Sequence, residues 1–141
     1  MASILKVDTI TGVTTAGSIS VTGEGNSTTT NLQQGLAKAW NRFGGTNVPT
    51  LQDSFNNSTA TDNGTGDYTF SFTSVMSNAD YSPVCQSGRG TATSGVDSRV
   101  STPDQITASN FVYNMYAVNS SGKGTYIDDG IGLTVVHGDL A

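Results

Sequence analysis

The segment TDNGTGDYTFSFT, residues 61–73, decides the fold of this 141-residue chain. Asn63 and Gly64 tolerate the positive φ angles of a type I′ turn, and this pair is the strongest short signal for a β-hairpin. Beyond the turn, aromatic residues alternate with Thr and Ser, the period of a strand with one buried and one solvated face. The segment predicts a hairpin that joins residues 51–61 to residues 67–73. The residues expected to face inward are Tyr68, Phe70 and Phe72.

Downstream of this hairpin, short β-prone runs alternate with turn clusters. Strands are predicted over residues 81–86, 110–118 and 131–136. Pro83 cannot donate a ladder hydrogen bond, so the first of these strands is expected to lie at a sheet edge or to have Pro83 at its entry point. Residues 87–101 are rich in Gly and Ser and predict a loop. Several short strands with this spacing indicate an antiparallel β-sandwich or barrel.

Upstream of the hairpin, residues 31–43 fit two structures. Thr30 or Asn31 could cap a short helix in which Leu32, Leu36, Ala39 and Phe43 share one face. Alternatively, a strand begins near Trp40, because Ala39, Asn41 and Phe43 alternate with larger or charged residues. The pattern favours a short helix followed by strand character, and both readings remain open.

The N-terminal segment has apolar residues but too few of them to form a core. Short strands are predicted over residues 4–10 and 18–22, and residues 24–30 form a polar linker. An isolated pair of strands is marginal in water, so this segment needs a partner surface. It is either an anchoring arm or a strand pair folded onto its own domain. The residues expected to make attachment or oligomer contacts are Ile4, Leu5, Val7, Ile10, Ile19 and Val21.

These patterns together predict a mainly β protein: an N-terminal extended strand arm, one short helix and an antiparallel β-sandwich. The lectin- or jelly-roll-like type of this sandwich is implied only by a resemblance to known proteins. Residues 1–30 are predicted to form the attachment arm and linker. Residues 31–141 are predicted to form the β-sandwich domain with a short leading helix. The aromatic and aliphatic residues expected in the core or at an interface are Leu36, Trp40, Phe43, Phe55, Tyr68, Phe70 and Phe72.

Composition and charge bear on the class of partner. The net charge is −5, and the six Lys and Arg residues form no basic stripe, which disfavours nucleic acid and anionic membrane surfaces as partners. No stretch approaches the length of a membrane span, so membrane insertion is not expected. Cys85, the single cysteine, is expected to be a small buried apolar residue rather than a nucleophile.

No motif in the sequence predicts catalysis, a cofactor or a metal site. Residues 62–67 superficially resemble a calcium loop but lack its oxygen spacing and distal glutamate, so a plain turn is expected. His137, the single histidine, has no triad signature around it. Trp40 could stack on a sugar, although a core or interface position fits its apolar neighbours better. Tyr81, Tyr113, Tyr116 and Tyr126 could line a glycan site, but most are expected to be packing residues.

Three blocks of the chain resemble a domain of small structural proteins and tail fibres of marine tailed bacteriophages. They are SILKVDTI at residues 3–10, GLAKAW at 35–40, and DSFN at 53–56 with the turn and strand start at 62–69; MSNADY at 76–81 resembles the turn before the next strand. Residues 85–141 match only as a generic β domain. Trp40-Asn41 departs from the Trp-Val that such proteins often carry.

This resemblance implies a virion protein assembled in the cytoplasm of a bacterial host. By analogy with such fibres, and with the H-type lectin-like sandwiches they resemble, it implies a homotrimer that contacts other virion proteins and a bacterial surface glycan. Two roles remain open: a tail fibre or short fibre-like appendage, and a capsid decoration protein bound to the phage head. An enzyme is not expected.

Overall fold

The computed structural model describes residues 4–12, 19–23, 28–46, 48–88, 98–118, 121–128 and 130–141. Within these residues the chain is mainly β, with eleven strands and one short helix. It divides into two compact units, residues 1–36 and residues 37–141. This division falls later than the predicted boundary after residue 30, because the short helix belongs to the first unit.

The first unit contains an antiparallel strand pair and one helical turn. Strand β1 (Ser20–Thr22) pairs with β2 (Thr29–Asn31), and α1 (Leu32–Gly35) follows directly. The Asn31 side chain accepts a hydrogen bond from the Gln34 backbone N–H at 3.1 Å, so Asn31 is the N-cap. The predicted strand near residues 18–22 is confirmed over β1, but the predicted strand at 4–10 is wrong, since residues 4–12 pair with no neighbour in the described structure. Residues 24–27 of the predicted linker lie outside the described residues.

The helix prediction holds for a single turn only. Strand β3 (Ala39–Gly44) begins soon after α1, so Ala39 and Phe43 do not share a helix face with Leu36. They face the core from alternate strand positions, with Asn41 between them, and the strand alternative is confirmed. Burial of these side chains between sheets outweighs the weak local helix preference.

The second unit is a two-sheet antiparallel sandwich, as predicted. Within the described residues, the front sheet has the order β4 (Thr50–Phe55), β3, β11 (Ile131–His137) and β7 (Ser82–Gly88). The back sheet consists of β5 (Asn57–Gly64), β6 (Asp67–Phe72), β9 (Asn110–Val118), β8 (Ser98–Asp104) and β10 (Gly124–Tyr126). Strand β7 lies at an edge of the front sheet, as Pro83 predicts.

An aromatic cluster fills the space between the two sheets. The ring of Phe43, on β3, lies 4.7 Å from that of Phe70, 5.4 Å from that of Tyr68 and 5.1 Å from that of Tyr113. Tilted and edge-to-face pairs of this kind add about 0.5–1.5 kcal/mol each beyond the area they bury. Gly132, opposite Phe43 in the register, leaves the volume that the Phe43 ring occupies. The sandwich is therefore held by aromatic side chains that cross from sheet to sheet.

The hairpin is present, but its turn lies two residues later than predicted. Strand β5 continues through Asn63 to Gly64, with a bulge in its pairing to β6. Thr65 and Gly66 make the turn, and Gly66 has a φ of 67°. The bulge accommodates an extra residue in β5, so Asn63 and Gly64 lie in the strand instead of forming the turn.

The predicted strand over residues 51–61 is two strands in two sheets. The chain leaves the front sheet at the end of β4 and enters the back sheet at the start of β5, turning at Asn56 with a φ of 56°. The Asn56 Nδ2 donates to the Lys38 carbonyl at 3.0 Å and to the Ser74 carbonyl at 2.9 Å. Asn tolerates the left-handed conformation, and its amide fastens the corner to both neighbouring segments.

Two strands of the back sheet were not predicted. The predicted loop over residues 87–101 is wrong at both ends, since β7 extends to Gly88 and β8 begins at Ser98. Residues 89–97 and 119–120 lie outside the described residues. Strand β8 contains Pro103 and strand β10 is short, and both are defined by their pairing with β9.

Candidate functional site

The outward face of the front sheet carries a row of apolar side chains across all its strands. The register places Phe55, Trp40, Val135 and Val84 side by side on β4, β3, β11 and β7. Phe55 is 51% exposed and Val84 60% exposed, and Trp40 is half-buried. Leu133, also exposed, lies in the next row. We call Phe55, Trp40, Val135, Val84 and Leu133 the apolar strip.

The apolar strip is bordered by a pair of opposite charges. Arg42 lies opposite Asp53 in the register of β3 and β4, in the row that also contains Leu133. Monomeric proteins seldom leave contiguous apolar surface exposed unless it serves an interaction. The strip is therefore contiguous apolar surface with both signs of charge at its border.

The predicted core and interface residues separate into two groups. Phe43, Tyr68, Phe70 and Phe72 are buried in the sandwich core. Trp40 and Phe55 are cross-strand neighbours on the apolar strip, and Leu36 is exposed in the first unit. Trp40 therefore does not lie in the core of a single chain.

The predicted attachment residues are mostly in solvent. The exposed fractions of Ile4 and Leu5 reach 79% and 83%. Of the others, Val7, Ile10 and Val21 are exposed, and Ile19 is half-buried. The first unit thus presents apolar side chains that the described residues of its own unit do not bury.

The four tyrosines considered for a glycan site divide between core and surface. Tyr81 and Tyr113 are buried. The Tyr81 hydroxyl approaches the Thr107 and Asn110 carbonyls at 2.9 and 2.8 Å, and the Tyr113 hydroxyl donates to the Gln86 carbonyl at 2.9 Å. Both are packing residues, as expected.

Tyr116, which is half-buried, and Tyr126, which is exposed, form a pair, here called the tyrosine pair, on the outward face of the back sheet. Their rings are 4.4 Å apart, and the Tyr116 hydroxyl donates to the Tyr126 hydroxyl at 2.9 Å. This hydrogen bond raises the pKa of Tyr116, and a hydrogen bond from Thr102 acts in the opposite direction. The phenols are thus joined to β8 in a chain of hydroxyl groups.

Polar residues from β8 and β9 surround the tyrosine pair. Asn114 lies two positions before Tyr116 on the same face of β9, and the register sets it opposite Thr102. Its Nδ2 lies 3.5 Å from an Asp104 carboxylate oxygen, and its buried Oδ1 has no hydrogen-bond donor among the described residues. Sequence reasoning missed this group because β8 was not predicted.

A second polar cluster is structural. The Asp128 Oδ1 accepts the Gly66 backbone N–H and the Tyr68 hydroxyl, each at 2.7 Å, while that hydroxyl also lies 2.6 Å from the Gly45 carbonyl. Burial, and then the hydrogen bond to Asp128, raise the pKa of Tyr68, so the phenol stays neutral. The hydrogen bonds of this cluster hold the β5–β6 turn against the segment after β10.

The remaining candidates for chemistry lie in a turn, beside the core and at a strand end. In the predicted turn, the Asp62 Oδ1 accepts the Gly64 N–H and the Asn63 Nδ2 donates to the Asp67 Oδ1. Cys85 packs against the core, and burial raises the pKa of its thiol to about 12. His137 is exposed at the end of β11. Among the described residues, no cluster of three or more His, Cys, Asp or Glu side chains could hold a metal ion.

Comparison of the chain with known protein families, with curated proteins and with solved structures returns no match. Nor do the described residues include a helix of the length and hydropathy required to cross a membrane.

Proposed function

We propose that the protein is a structural component of a bacteriophage virion, a tail fibre or short fibre-like appendage that works as a homotrimer. The observation that carries this proposal is the apolar strip, contiguous apolar surface that the described residues of a single chain leave exposed. The exposed apolar residues of the first unit add a second surface of the same kind. Together with the resemblance of residues 3–10, 35–40, 53–56 and 62–69 to phage fibre proteins, they support an assembly role.

The partner of the apolar strip is a second copy of this chain. Arg42 and Asp53 lie side by side at its border, so copies related by a rotation can pair the Arg42 of one with the Asp53 of the next. This pairing is possible in a two-fold dimer as well as in a ring, and three copies are the number that the resemblance implies. Burying Phe55 and Val84 in each contact removes the exposed apolar surface from water.

The oligomer is tested by light scattering on the purified protein. The expected mass is three times the 14.5 kDa of one chain. Val84→Asp, within the strip, is expected to shift the protein to monomer because it places a charge at each contact. Val48→Asp is the matched control, since Val48 is 69% exposed and lies outside the strip. A wild-type monomer, or a trimer unaffected by Val84→Asp, contradicts the proposed interface.

The first unit is the segment proposed to bind other virion proteins, while the sandwich faces outward. An extended segment with exposed Ile4, Leu5 and Val7 can lie across, or add a strand to, a preformed surface. The same segment would serve a capsid decoration protein bound to the phage head, which remains the second candidate role.

The attachment role is tested by deleting residues 2–23 in a phage that encodes the protein. We expect a folded, soluble product with wild-type sandwich stability that is missing from purified particles, because the deletion removes the attachment residues and leaves the second unit intact. Quantitative mass spectrometry of wild-type particles separates the two roles: a few trimers indicate the tail, and many copies indicate the capsid. Normal incorporation of the deleted protein would place the attachment surface on the sandwich, and absence of the wild-type protein from particles would refute a virion role.

A further inference from the structure

The Asn63-Gly64 pair lies at the exposed end of β5, in the strand rather than in the turn that follows it. It is the one Asn-Gly dipeptide in the sequence. Such a pair is chemically unstable in an open chain, because glycine has no side chain to hinder attack of its nitrogen on the preceding side-chain amide. Asn is one of the thermolabile residues of proteins. The fate of this pair therefore depends on how the hairpin holds it.

The reaction in question is deamidation through a cyclic imide. The Gly64 backbone nitrogen attacks the Asn63 Cγ, the bond from Cγ to Nδ2 breaks, and ammonia leaves with the Gly64 proton. Water then opens the five-membered ring at either of its two carbonyls, which gives aspartate or isoaspartate. One water is consumed and one ammonia is released, and nothing is oxidised or reduced.

Three hydrogen bonds hold both reacting groups away from this reaction. The Asn63 Nδ2 donates to the Asp67 Oδ1 at 2.9 Å and to the Thr69 Oγ1 at 2.8 Å, so both amide hydrogens are engaged with β6. The Gly64 N–H donates to the Asp62 Oδ1 at 2.9 Å. Asn63 also has the extended backbone of a strand, whereas ring closure needs a rotation that brings the Gly64 nitrogen towards the Asn63 Cγ. Attack therefore requires the tip of the hairpin to open.

Either product changes the tip of the hairpin permanently. Aspartate has no amide hydrogens, so it loses both bonds to β6 and places its carboxylate next to that of Asp67. Like charges opposite each other destabilise a strand pair. Isoaspartate inserts a methylene into the backbone of β5, and a strand with an altered repeat no longer matches the register of β6. The native hairpin tip cannot form again from either product.

We infer that Asn63 is a modification site, converted to aspartate or isoaspartate only when the tip of the β5–β6 hairpin opens. The folded hairpin suppresses the reaction, and the product prevents the native hydrogen bonds from forming again. Deamidation at Asn63 therefore marks irreversibly those chains whose hairpin has opened. The reaction needs only water, so the inference goes beyond the proposed virion role and does not rest on it.

The rate of conversion is measured by peptide mapping with mass spectrometry. Full-length protein is kept folded, or unfolded in guanidinium chloride, in the same mildly alkaline buffer. Folded wild type is expected to convert at Asn63 at least about tenfold more slowly, because the reaction waits for local opening. Unfolded Gly64→Ala should convert more slowly than unfolded wild type, since its methyl group hinders the attack. Equal rates in folded and unfolded wild type would overturn the inference.

Single substitutions test the three hydrogen bonds. Thr69→Val removes one acceptor of the Asn63 amide, and Asp62→Ala removes the acceptor of the Gly64 N–H. Each should raise the folded-state rate about twofold to tenfold, the range that corresponds to one hydrogen bond. Thr61→Val, exposed on the same strand, is the matched control and should leave the rate unchanged.

Denaturation curves followed by circular dichroism give the unfolded fraction of each variant. The acceleration in Thr69→Val and Asp62→Ala should exceed any rise in this fraction, because only the tip opens. Acceleration that merely matches the unfolded fraction, or no acceleration relative to Thr61→Val, would refute local control by these hydrogen bonds.

Asn63→Asp tests the consequence of conversion. This variant should melt at a lower temperature than wild type, and added salt should restore part of the loss by screening the repulsion from Asp67. Combination with Asp67→Asn exchanges donor and acceptor and should recover most of the loss. If the double substitution recovered nothing, the contact between residues 63 and 67 would not be the reason that conversion is irreversible. None of these outcomes depends on oligomerisation or on presence in particles.

Discussion

Replacing Phe43 by alanine is expected to lower the free energy of unfolding by about 3–5 kcal/mol, a large part of the stability of a small domain. Phe43 is fully buried, and its ring contacts the rings of Tyr68, Phe70 and Tyr113 from the opposite sheet. Truncation would open a cavity between the sheets that the surrounding rings cannot fill without leaving their rotamers. Urea denaturation monitored by tyrosine and tryptophan fluorescence measures the loss.

Phe55→Ala is the matched control, because it removes the same side chain from the surface. Phe55 lies on the apolar strip and is half exposed in a single chain. At concentrations where the protein is monomeric, the variant should unfold close to wild type. At higher concentrations, the proposed trimer adds a stability that depends on protein concentration, and Phe55→Ala should lose that part. If both variants lost the same free energy of unfolding at low concentration, Phe43 would contribute no more to the stability of the core than the half-exposed Phe55.

Gly66→Ala is expected to be comparably damaging, through the backbone rather than through a cavity. A Cβ at Gly66 would lie 2.5 Å from the Met115 carbonyl oxygen and 2.7 Å from that of Ile127, and the φ of 67° disfavours any residue with a side chain. Backbone atoms cannot move away as a flexible side chain can. Relieving the overlap would strain the Gly66–Asp128 hydrogen bond and the ladder contact to β9. A loss of about 3 kcal/mol or more in the same denaturation experiment is expected.

Gly64→Ala, in the same hairpin, isolates the conformational part of that loss. Gly64 also has a positive φ, 139°, but nothing lies within 4 Å of a Cβ built there. Gly64→Ala should therefore lower the free energy of unfolding only by the backbone strain, about 1–3 kcal/mol. If Gly66→Ala were no worse than Gly64→Ala, the close packing of the turn against Met115 and Ile127 would be refuted.

Local sequence patterns were sufficient to predict the elements that are determined by their own residues. The alternation of Tyr68, Phe70 and Phe72 determines which face of β6 is buried, and the apolar run at 110–118 coincides with β9. Pro83 at the edge of the front sheet is a similar case, because a missing N–H restricts a residue in every context. Such elements need no knowledge of their neighbours.

Other features depended on contacts distant in sequence. Nothing local shows that Asn56 turns the chain from one sheet into the other, since its amide bonds to Lys38 and Ser74 exist only after both segments are in place. The position of the β5–β6 turn also depends on distant contacts. Gly66 lies against Met115, Ile127 and Asp128. These contacts outweigh the local preference of Asn63 and Gly64 for a turn. Strands β8 and β10 arise from pairing with β9 rather than from their own composition.

The candidate sites also depend partly on local sequence patterns and partly on contacts distant in sequence. The sequence by itself determined that the chain would be a β-sandwich with aromatic side chains inside, because period-two alternation reports which face of a strand avoids water. It also identified Trp40, Phe55, Tyr116 and Tyr126 as residues to explain. Only the tertiary structure decided that Trp40 and Phe55 lie together on an outward face and that Tyr116 stacks on Tyr126 beside Asn114. The physical reason is that strand register, which chooses the cross-strand neighbours of each side chain, is set by turns, bulges and packing across the whole sandwich.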